Sequence, residues 1–355
     1  MREGILSLIG NTPLTKLTRV LGSTHFDLYA KLEAFNPGGS IKDRAAYSIL
    51  KNAMEEGEIG PGTVVIESSS GNMGIGLAQA CTYFGLRFIC VVDPKTTQQN
   101  VALLKAYGAD VDVVREPDPI TKEYLHARID RVRTLRQAIP DSFWPNQYSN
   151  VYNAMAHRNT MHEIARDLDG KVDYLFCAAS TCGTLRGCAE YVRTHGLKTK
   201  IVAVDAIGSV IFGGHKAKRL IPGHGAAVRP ALFQPGLATE CVHVSDLDCI
   251  LSCRRLVETE AILSGGSSGA VLSAVEKMRS HIPPGANCVA IFADRGERYL
   301  ETIYSDTWVW EHFGDVSVRR QQPAASPLHR EVSLHPQFAE RVMTANAASN
   351  PESKS

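Results

Sequence analysis

Short apolar runs alternate with longer amphipathic ones along most of this chain, and that alternation restricts the fold more than any other feature. Residues 26–33, 63–67, 87–93 and 110–114 read as strands, and residues 41–56, 72–84 and 98–107 read as helices between them. The second half repeats the cadence. Strands are expected at 174–179, 200–205, 242–244 and 288–293, a helix at 184–194, and two more helices divided by Ser264-Gly265-Gly266-Ser267-Ser268-Gly269. Strands joined through a helix run parallel, because the crossover returns the chain to the same end of the sheet. The expected class is α/β, with mostly parallel sheet flanked by helices. No repeat of solenoid length is visible.

The bulk properties exclude several functions. At 355 residues the chain can hold two domains, and 44% apolar with 21% charged residues is an ordinary globular composition. A formal net charge of +1 argues for no nucleic-acid partner and no membrane surface. Apolar runs such as 88–92 are strand-sized, and residues 1–11 lack the apolar stretch and cleavage site of a signal peptide. The nine cysteines show no disulfide-framework spacing, which points to a reducing cytoplasm. Cys249 and Cys253, with Cys241 and His243 upstream, match no common zinc module, so no metal is expected. From residue 314 onward, Pro, Ser, Ala, Gln and Asn dominate without periodicity, and residues 314–355 read as a disordered tail.

In parallel α/β sheets, ligands bind where strands end and helices begin. Four junctions here are rich in small polar residues. In Asn36-Pro37-Gly38-Gly39-Ser40-Ile41-Lys42-Asp43-Arg44, a lysine stands at the mouth of a glycine-rich turn. There it can form a Schiff base with a planar aldehyde cofactor, or be a solvated first-turn lysine. Ser68-Ser69-Ser70-Gly71-Asn72-Met73-Gly74 offers helix N-terminal amides and hydroxyls to an anion, or a plain N-cap by Ser70 or Asn72. Ser180-Thr181-Cys182-Gly183-Thr184 lets successive amides point at one phosphate, or simply starts a helix; no Gly-Lys-Ser/Thr follows, so it is not a P-loop. Gly265-Gly266-Ser267-Ser268-Gly269 lets backbone approach a flat ring while a serine hydroxyl meets a ring nitrogen, or is a capped helix break. A neutral serine there suits elimination and replacement at Cβ better than transamination.

These four motifs occur in the order, and at nearly the separations, found in fold-type II pyridoxal-phosphate enzymes. Over residues 8 to about 310 the chain resembles their cysteine synthase and cystathionine β-synthase branch. The resemblance implies two open, twisted, mostly parallel sheets flanked by helices, as in the tryptophan synthase β chain. It implies a large cofactor domain of residues 1–44 plus 148–313, and a small mobile substrate domain of residues 45–147. Pyridoxal 5'-phosphate would be held by Lys42 as a Schiff base, with Asn72 on the ring hydroxyl. Ser180, Thr181, Cys182, Gly183 and Thr184 would cradle its phosphate, and Ser267 would meet the pyridine nitrogen. Ser69, Ser70, Asn72 and Gln147 would grip the substrate carboxylate. A cytoplasmic homodimer acting on small amino acids is implied as well.

Within that branch the chain departs from plain cysteine synthases. Met73 stands where they usually carry Thr, and with Arg128 and Tyr148 it is expected to line the pocket that selects the substrates. The stretches Val91-Val92-Asp93-Pro94-Lys95, Asn146-Gln147-Tyr148-Ser149-Asn150 and Tyr304-Ser305-Asp306-Thr307-Trp308 resemble instead a group that expels phosphate from O-phospho-L-serine and adds the amine of L-glutamate. That reaction supplies 2,3-diaminopropionate for siderophores or peptide natural products. Its substrate-site residues correspond to Arg128, Tyr148 and Ser180. The basic run Arg128, Arg131, Arg133 and Arg136 also reads as a solvated helix face, and Tyr148 as a core aromatic. Gly223, in Ile221-Pro222-Gly223-His224-Gly225-Ala226, resembles the family's flexible glycine loop over the substrate, or is a surface turn. Asp294-Arg295-Gly296-Glu297-Arg298-Tyr299 matches the family too, with a structural role expected at a strand end. Lys42 would remove the Cα proton, which requires a lowered pKa. A sulfide-using cysteine synthase is the alternative activity. A non-catalytic cofactor-binding regulatory protein is the other alternative, and the intact Lys42 argues against it.

Overall fold

The structure, a computed structural model, describes residues 3–316; the rest of the expected tail lies outside the described residues. The chain begins with β1 (Leu14–Leu17), β2 (Asp27–Leu32), α1 (Lys42–Glu55), β3 (Val64–Ser68), α2 (Asn72–Phe84), β4 (Arg87–Val92) and α3 (Gln98–Ala106). It continues through β5 (Asp110–Val113), α4 (Tyr124–Ala138), β6 (Ser142–Phe143), α5 (Val151–Asp167), β7 (Tyr174–Ala178), α6 (Gly183–Thr194) and β8 (Lys200–Ala206). The last elements are β9 (Glu240–Val244), α7 (Asp246–Glu260), α8 (Gly266–Met278), β10 (Asn287–Phe292) and α9 (Asp306–Phe313). Among the described residues no helix is long and apolar enough to cross a membrane.

Two sheets result, as the α/β reading expects. The larger has the order β1-β2-β10-β7-β8-β9, parallel throughout except for β1, which pairs antiparallel with β2 (Leu14 opposite Lys31). The smaller, β5-β4-β3-β6, is wholly parallel. Strand β3 is buried along its length, as a central parallel strand covered on both faces should be. Helix α2 ends at Gly85, whose φ of 70° lets its N–H reach back to the carbonyls of Cys81 and Thr82.

Helix α8 is buried almost all round, packed against α7 and the larger sheet. A Cβ at Gly269 would lie 2.1 Å from the Cys249 carbonyl oxygen, so glycine is what lets α7 and α8 approach closely. Cys249 and Cys253 are fully buried on that face of α7.

The first turn of α1 is fixed by buried ions. Arg44 donates from Nε (2.7 Å) and Nη2 (2.8 Å) to Glu33, and from Nη1 (2.8 Å) and Nη2 (2.7 Å) to Glu163. Lys31 Nζ lies 2.8 Å from Glu163 and donates to the Thr12 carbonyl at 2.6 Å. Two cations thus neutralise two carboxylates at the junction of β2, α1 and α5, two residues from Lys42. Burial raises the Glu163 carboxyl, but Arg44 and Lys31 outweigh it and hold the group at about 2.

Candidate active site

Lys42 opens α1, at the end of the turn that begins with Asn36. Asp43 closes that turn by accepting the Gly38 N–H at 2.5 Å. Together with Ser180, Thr181, Cys182, Gly183, Thr184 and Gly223, Lys42 lines a cleft of about 380 Å³. Burial pushes the Lys42 ammonium below its usual pKa, against the opposing pull of Cys177, Asp294 and Cys182. The far wall is the N-terminus of α6, whose first amides have no intrahelical acceptor. Cys182, at φ 64°, turns that loop through the left-handed region, which makes an anion-binding concavity of successive N–H groups. Thr181 Oγ1 accepts the Gly183 N–H and holds the turn.

Gly223 stands at φ 92°, and a Cβ there would come within 3.3 Å of Ser267 Oγ. The glycine therefore keeps clear the space beside the Ser267 hydroxyl. A desolvated amine, an amide nest and a hydroxyl beside an uncrowded backbone fit a phosphorylated pyridine aldehyde. The same donors fit no metal, and no cluster of three or more potential ligands occurs among the described residues.

The segment from Ala293 to Tyr299 ties the junctions together, more extensively than a strand-end role alone suggests. The Ala293 carbonyl accepts the Ile41 N–H at 2.8 Å, and its N–H donates to Ser268 Oγ at 3.1 Å. Asp294, 2% exposed, accepts from Asn72 Nδ2 at 2.7 Å and from the Tyr299 hydroxyl at 2.5 Å. Arg298 donates to Asn72 Oδ1 and to the Gly38 carbonyl. Asn72 is thus clamped at both ends of its amide, with one N–H left to donate elsewhere. Asp294 Oδ1 is buried without a hydrogen-bond partner, and burial raises its carboxyl pKa.

The serines before α2 divide their work. The N-cap of α2 is Gly71 rather than Ser70 or Asn72, and Ser69 Oγ, from two residues upstream, accepts the Gly74 N–H at 2.9 Å and the Gly71 N–H at 3.4 Å. The Ser70 carbonyl accepts from Asn100 Nδ2 at 3.0 Å. Met73 lies in the apolar core with Ala45, Ile49 and Leu77. Gln147 is buried; its N–H donates to Glu67 at 3.2 Å and its carbonyl accepts from Asn153 at 2.7 Å.

Arg128 and Tyr148 line a second, wider cleft of about 1440 Å³ rather than the Lys42 cleft. The glycine turn joins the two, with Gly223 on one and Gly225 and Ala226 on the other. The basic run on α4 separates by burial. Arg131 and Arg133 pair with Asp112 and Asp130 at the surface, whereas Arg128 is only 9% exposed. Its Nε lies 3.3 Å from Asp93 without hydrogen-bond alignment, and Nε and Nη1 are buried without partners. Beside it Glu67 accepts from Trp144, Ser68 and Gln147, while burial lifts its carboxyl to about 7. Sequence reading gave no role to Glu67, Asn153 or Arg219. Of these only Glu67 carried a signal, as a lone carboxylate inside an apolar strand.

A family model described as pyridoxal-phosphate dependent enzyme matches residues 5–294. The chain belongs to the pyridoxal-phosphate-dependent enzymes of fold type II. Its cofactor is pyridoxal phosphate. It is 43% identical over 308 residues to an N-(2-amino-2-carboxyethyl)-L-glutamate synthase of Ralstonia nicotianae, covering 86% of this chain and 91% of that one. A protein of the same name from Cupriavidus metallidurans is 41% identical over 340 residues, covering 94% and 98%. Among solved structures, a cysteine synthase from Entamoeba histolytica superposes with a TM-score of 0.80 at 32% identity, covering 86% of this chain and 91% of that one.

Proposed function

We propose that this enzyme catalyses β-replacement on O-phospho-L-serine, expelling phosphate and adding the α-amine of L-glutamate to give N-(2-amino-2-carboxyethyl)-L-glutamate. The observation that carries this reading is Arg128. A buried guanidinium whose Nε and Nη1 have no hydrogen-bond partner, with Asp93 3.3 Å from Nε, suits a phosphate dianion, which brings two charges and several acceptor oxygens, better than a neutral acetyl ester. Tyr148 lines the same cleft, and its hydroxyl is proposed to share that phosphate. The names of the Ralstonia and Cupriavidus relatives support the same product.

Pyridoxal phosphate, when bound, supplies an electron sink for charge developing at Cα of the amino acid it carries. In the Lys42 cleft, Lys42 would hold the aldehyde carbon and the Ser180–Thr184 amides the phosphate, while Ser267 and Asn72, which do not line that cleft, would meet the ring nitrogen and the ring hydroxyl from beside it. The α2 N-terminus, with Ser70 and Gln147, is the proposed seat of the substrate carboxylate. The substrate's own amine would displace Lys42 from the aldehyde carbon, and the freed lysine, its pKa lowered by burial, would take the Cα proton as the neutral amine. The Cβ–O bond breaks toward Arg128, the N–Cβ bond forms with the glutamate amine, and Lys42 returns the proton to Cα.

The wide cleft has Glu67, Asp93 and Arg128 on one wall and Arg219 to Pro230 on the other. This supports residues 45–147 as a small substrate domain that closes over the site. A cytoplasmic homodimer supplying 2,3-diaminopropionate to a siderophore or peptide pathway completes the proposal. Nine unpaired cysteines agree with a reducing compartment.

The deciding experiment offers O-phosphoserine and O-acetylserine against glutamate, sulfide and homocysteine, with products identified by mass spectrometry. Glutamate-dependent release of phosphate is the expected result. Cysteine as the main product would replace this reading with a cysteine synthase, and a cofactor-loaded chain with no turnover would leave a regulatory protein.

A further inference from the structure

The wide cleft holds more positive charge than its own carboxylates neutralise. Asp93 lies against Arg128, Glu123 pairs with Lys216 at 2.6 Å, and Glu67 accepts three hydrogen bonds. Arg133 pairs with Asp130. Lys95, Arg219 and Arg229 line the same cleft, and among the described residues none has a carboxylate oxygen within 4.0 Å. Arg229 is engaged elsewhere, its guanidinium 4.9 Å from the Phe233 ring and its Nε donating to the Ile211 carbonyl. Arg219 is held differently. Its Nη1 donates to the His224 carbonyl at 3.1 Å and would stand 2.8 Å from a Cβ at Gly225. The guanidinium therefore lies on the glycine turn that joins the two clefts, half-buried and, among the described residues, with no carboxylate oxygen within 4.0 Å. Lys95 reaches the cleft from the loop between β4 and α3, over the Tyr124 ring.

We propose that Arg219 and Lys95 form a subsite for the side-chain carboxylate of a dicarboxylic amino-acid acceptor, distinct from the Arg128 site for the departing phosphate. The inference rests on the proposed reading that an amino acid supplies the attacking amine. Two anions enter this cleft in one cycle, and like charges repel, so each needs its own cation. Arg128 already faces Asp93 and, on that reading, the phosphate. A sulfide acceptor carries no carboxylate and would leave Arg219 and Lys95 without a ligand.

The test uses the holoenzyme and the variants Arg219→Gln, Arg219→Lys, Lys95→Gln and the Arg219→Gln/Lys95→Gln double variant. Acceptor KM is measured for L-glutamate and for L-glutamine, which keeps the shape and loses the charge. The cofactor absorbance is titrated with O-phosphoserine alone. KM for glutamate should rise about tenfold or more in each glutamine variant and further in the double variant, while KM for glutamine stays within about twofold. Arg219→Lys should recover most of the loss, and the phosphoserine titration midpoint should not move. An unchanged preference for glutamate over glutamine in the double variant would overturn the subsite. A parallel loss of the phosphoserine titration would also overturn it, by making Arg219 only a support for the glycine turn. A wild-type enzyme indifferent to glutamate would instead sink the functional reading on which the subsite stands.

Discussion

Lys42 shows how one side chain's chemistry depends on its surroundings. A lysine amine in water is protonated at neutral pH and can accept no proton. Burial in the cleft lowers its pKa, and the nearby Asp294 limits the fall. Lys42→Ala should abolish the visible band of the lysine-linked cofactor and reduce turnover by about 10²–10⁴-fold or more. Absorbance and phosphate release check this, and normal turnover would refute the proposed role. Arg128 tests the donor side. Arg128→Gln removes the charge but keeps polarity, and should raise KM for O-phosphoserine by about 10- to 100-fold. KM for O-acetylserine should hardly change, because the acetyl ester brings no dianion. Equal losses for both donors would mean that Arg128 only supports the wall of the cleft. Both residues were visible in the sequence as candidates. Arg128's burial was not, because its spacing from Arg131 and Arg133 is that of a solvated helix face.

At the scale of elements, most of the parallel architecture could be read directly. The helix expected over 72–84 is α2 to the residue, since its apolar run ends at a glycine suited to a left-handed cap. Other elements carried weaker signals. Strand β1 is four mixed residues on an edge, and β6 is only two residues long. Helix α5 buries Asn153, His157, Thr160 and Glu163, so its inward face reads as polar. Each of those side chains has a partner inside the fold, although Asn153 Oδ1 and His157 Nε2 are left without one, and partnership is not written in local sequence. The Glu33–Arg44–Glu163–Lys31 cluster gives the sharpest element-scale prediction. Glu163→Gln leaves Arg44 and Lys31 short of a counter-charge and should destabilise the fold by about 3–5 kcal/mol. Denaturant unfolding measures this. Acid should act on the same group. Its folded pKa of about 2 lies below the usual glutamate value of 4.5, so its stabilisation is full above that value and fades as pH falls toward about 2. The variant should lose this part of the acid sensitivity. Gly269→Ala, with its Cβ 2.1 Å from the Cys249 oxygen, should cost about 1–3 kcal/mol by forcing α7 and α8 apart.

For the whole molecule, the site exists only where distant segments meet. Lys42, Ser180 and Gly223 share one cleft although well over a hundred residues separate the first two, and the resemblance brought these motifs together before any coordinates did. The cationic wall could not be anticipated in this way, because Arg219 and Arg229 belong to no recognisable motif and Lys95, although it ends the stretch Val91-Val92-Asp93-Pro94-Lys95, carried no role of its own. The proposed closure of residues 45–147 has a natural reporter. The chain has three tryptophans: Trp144, Trp308 and Trp310. Trp144 follows β6, lines the wide cleft and donates its indole N–H to Glu67 at 3.1 Å. Trp308 and Trp310 lie on α9, outside both clefts. If the small domain closes on O-phosphoserine, water leaves the surroundings of Trp144 and its emission changes. The change should persist in Trp308→Phe and Trp310→Phe and vanish in Trp144→Phe. It should also be absent when phosphoserine is added to Arg128→Gln at a concentration that saturates the wild type but not the variant. A signal surviving Trp144→Phe would place the motion elsewhere in the molecule and remove the case for residues 45–147 as the moving part.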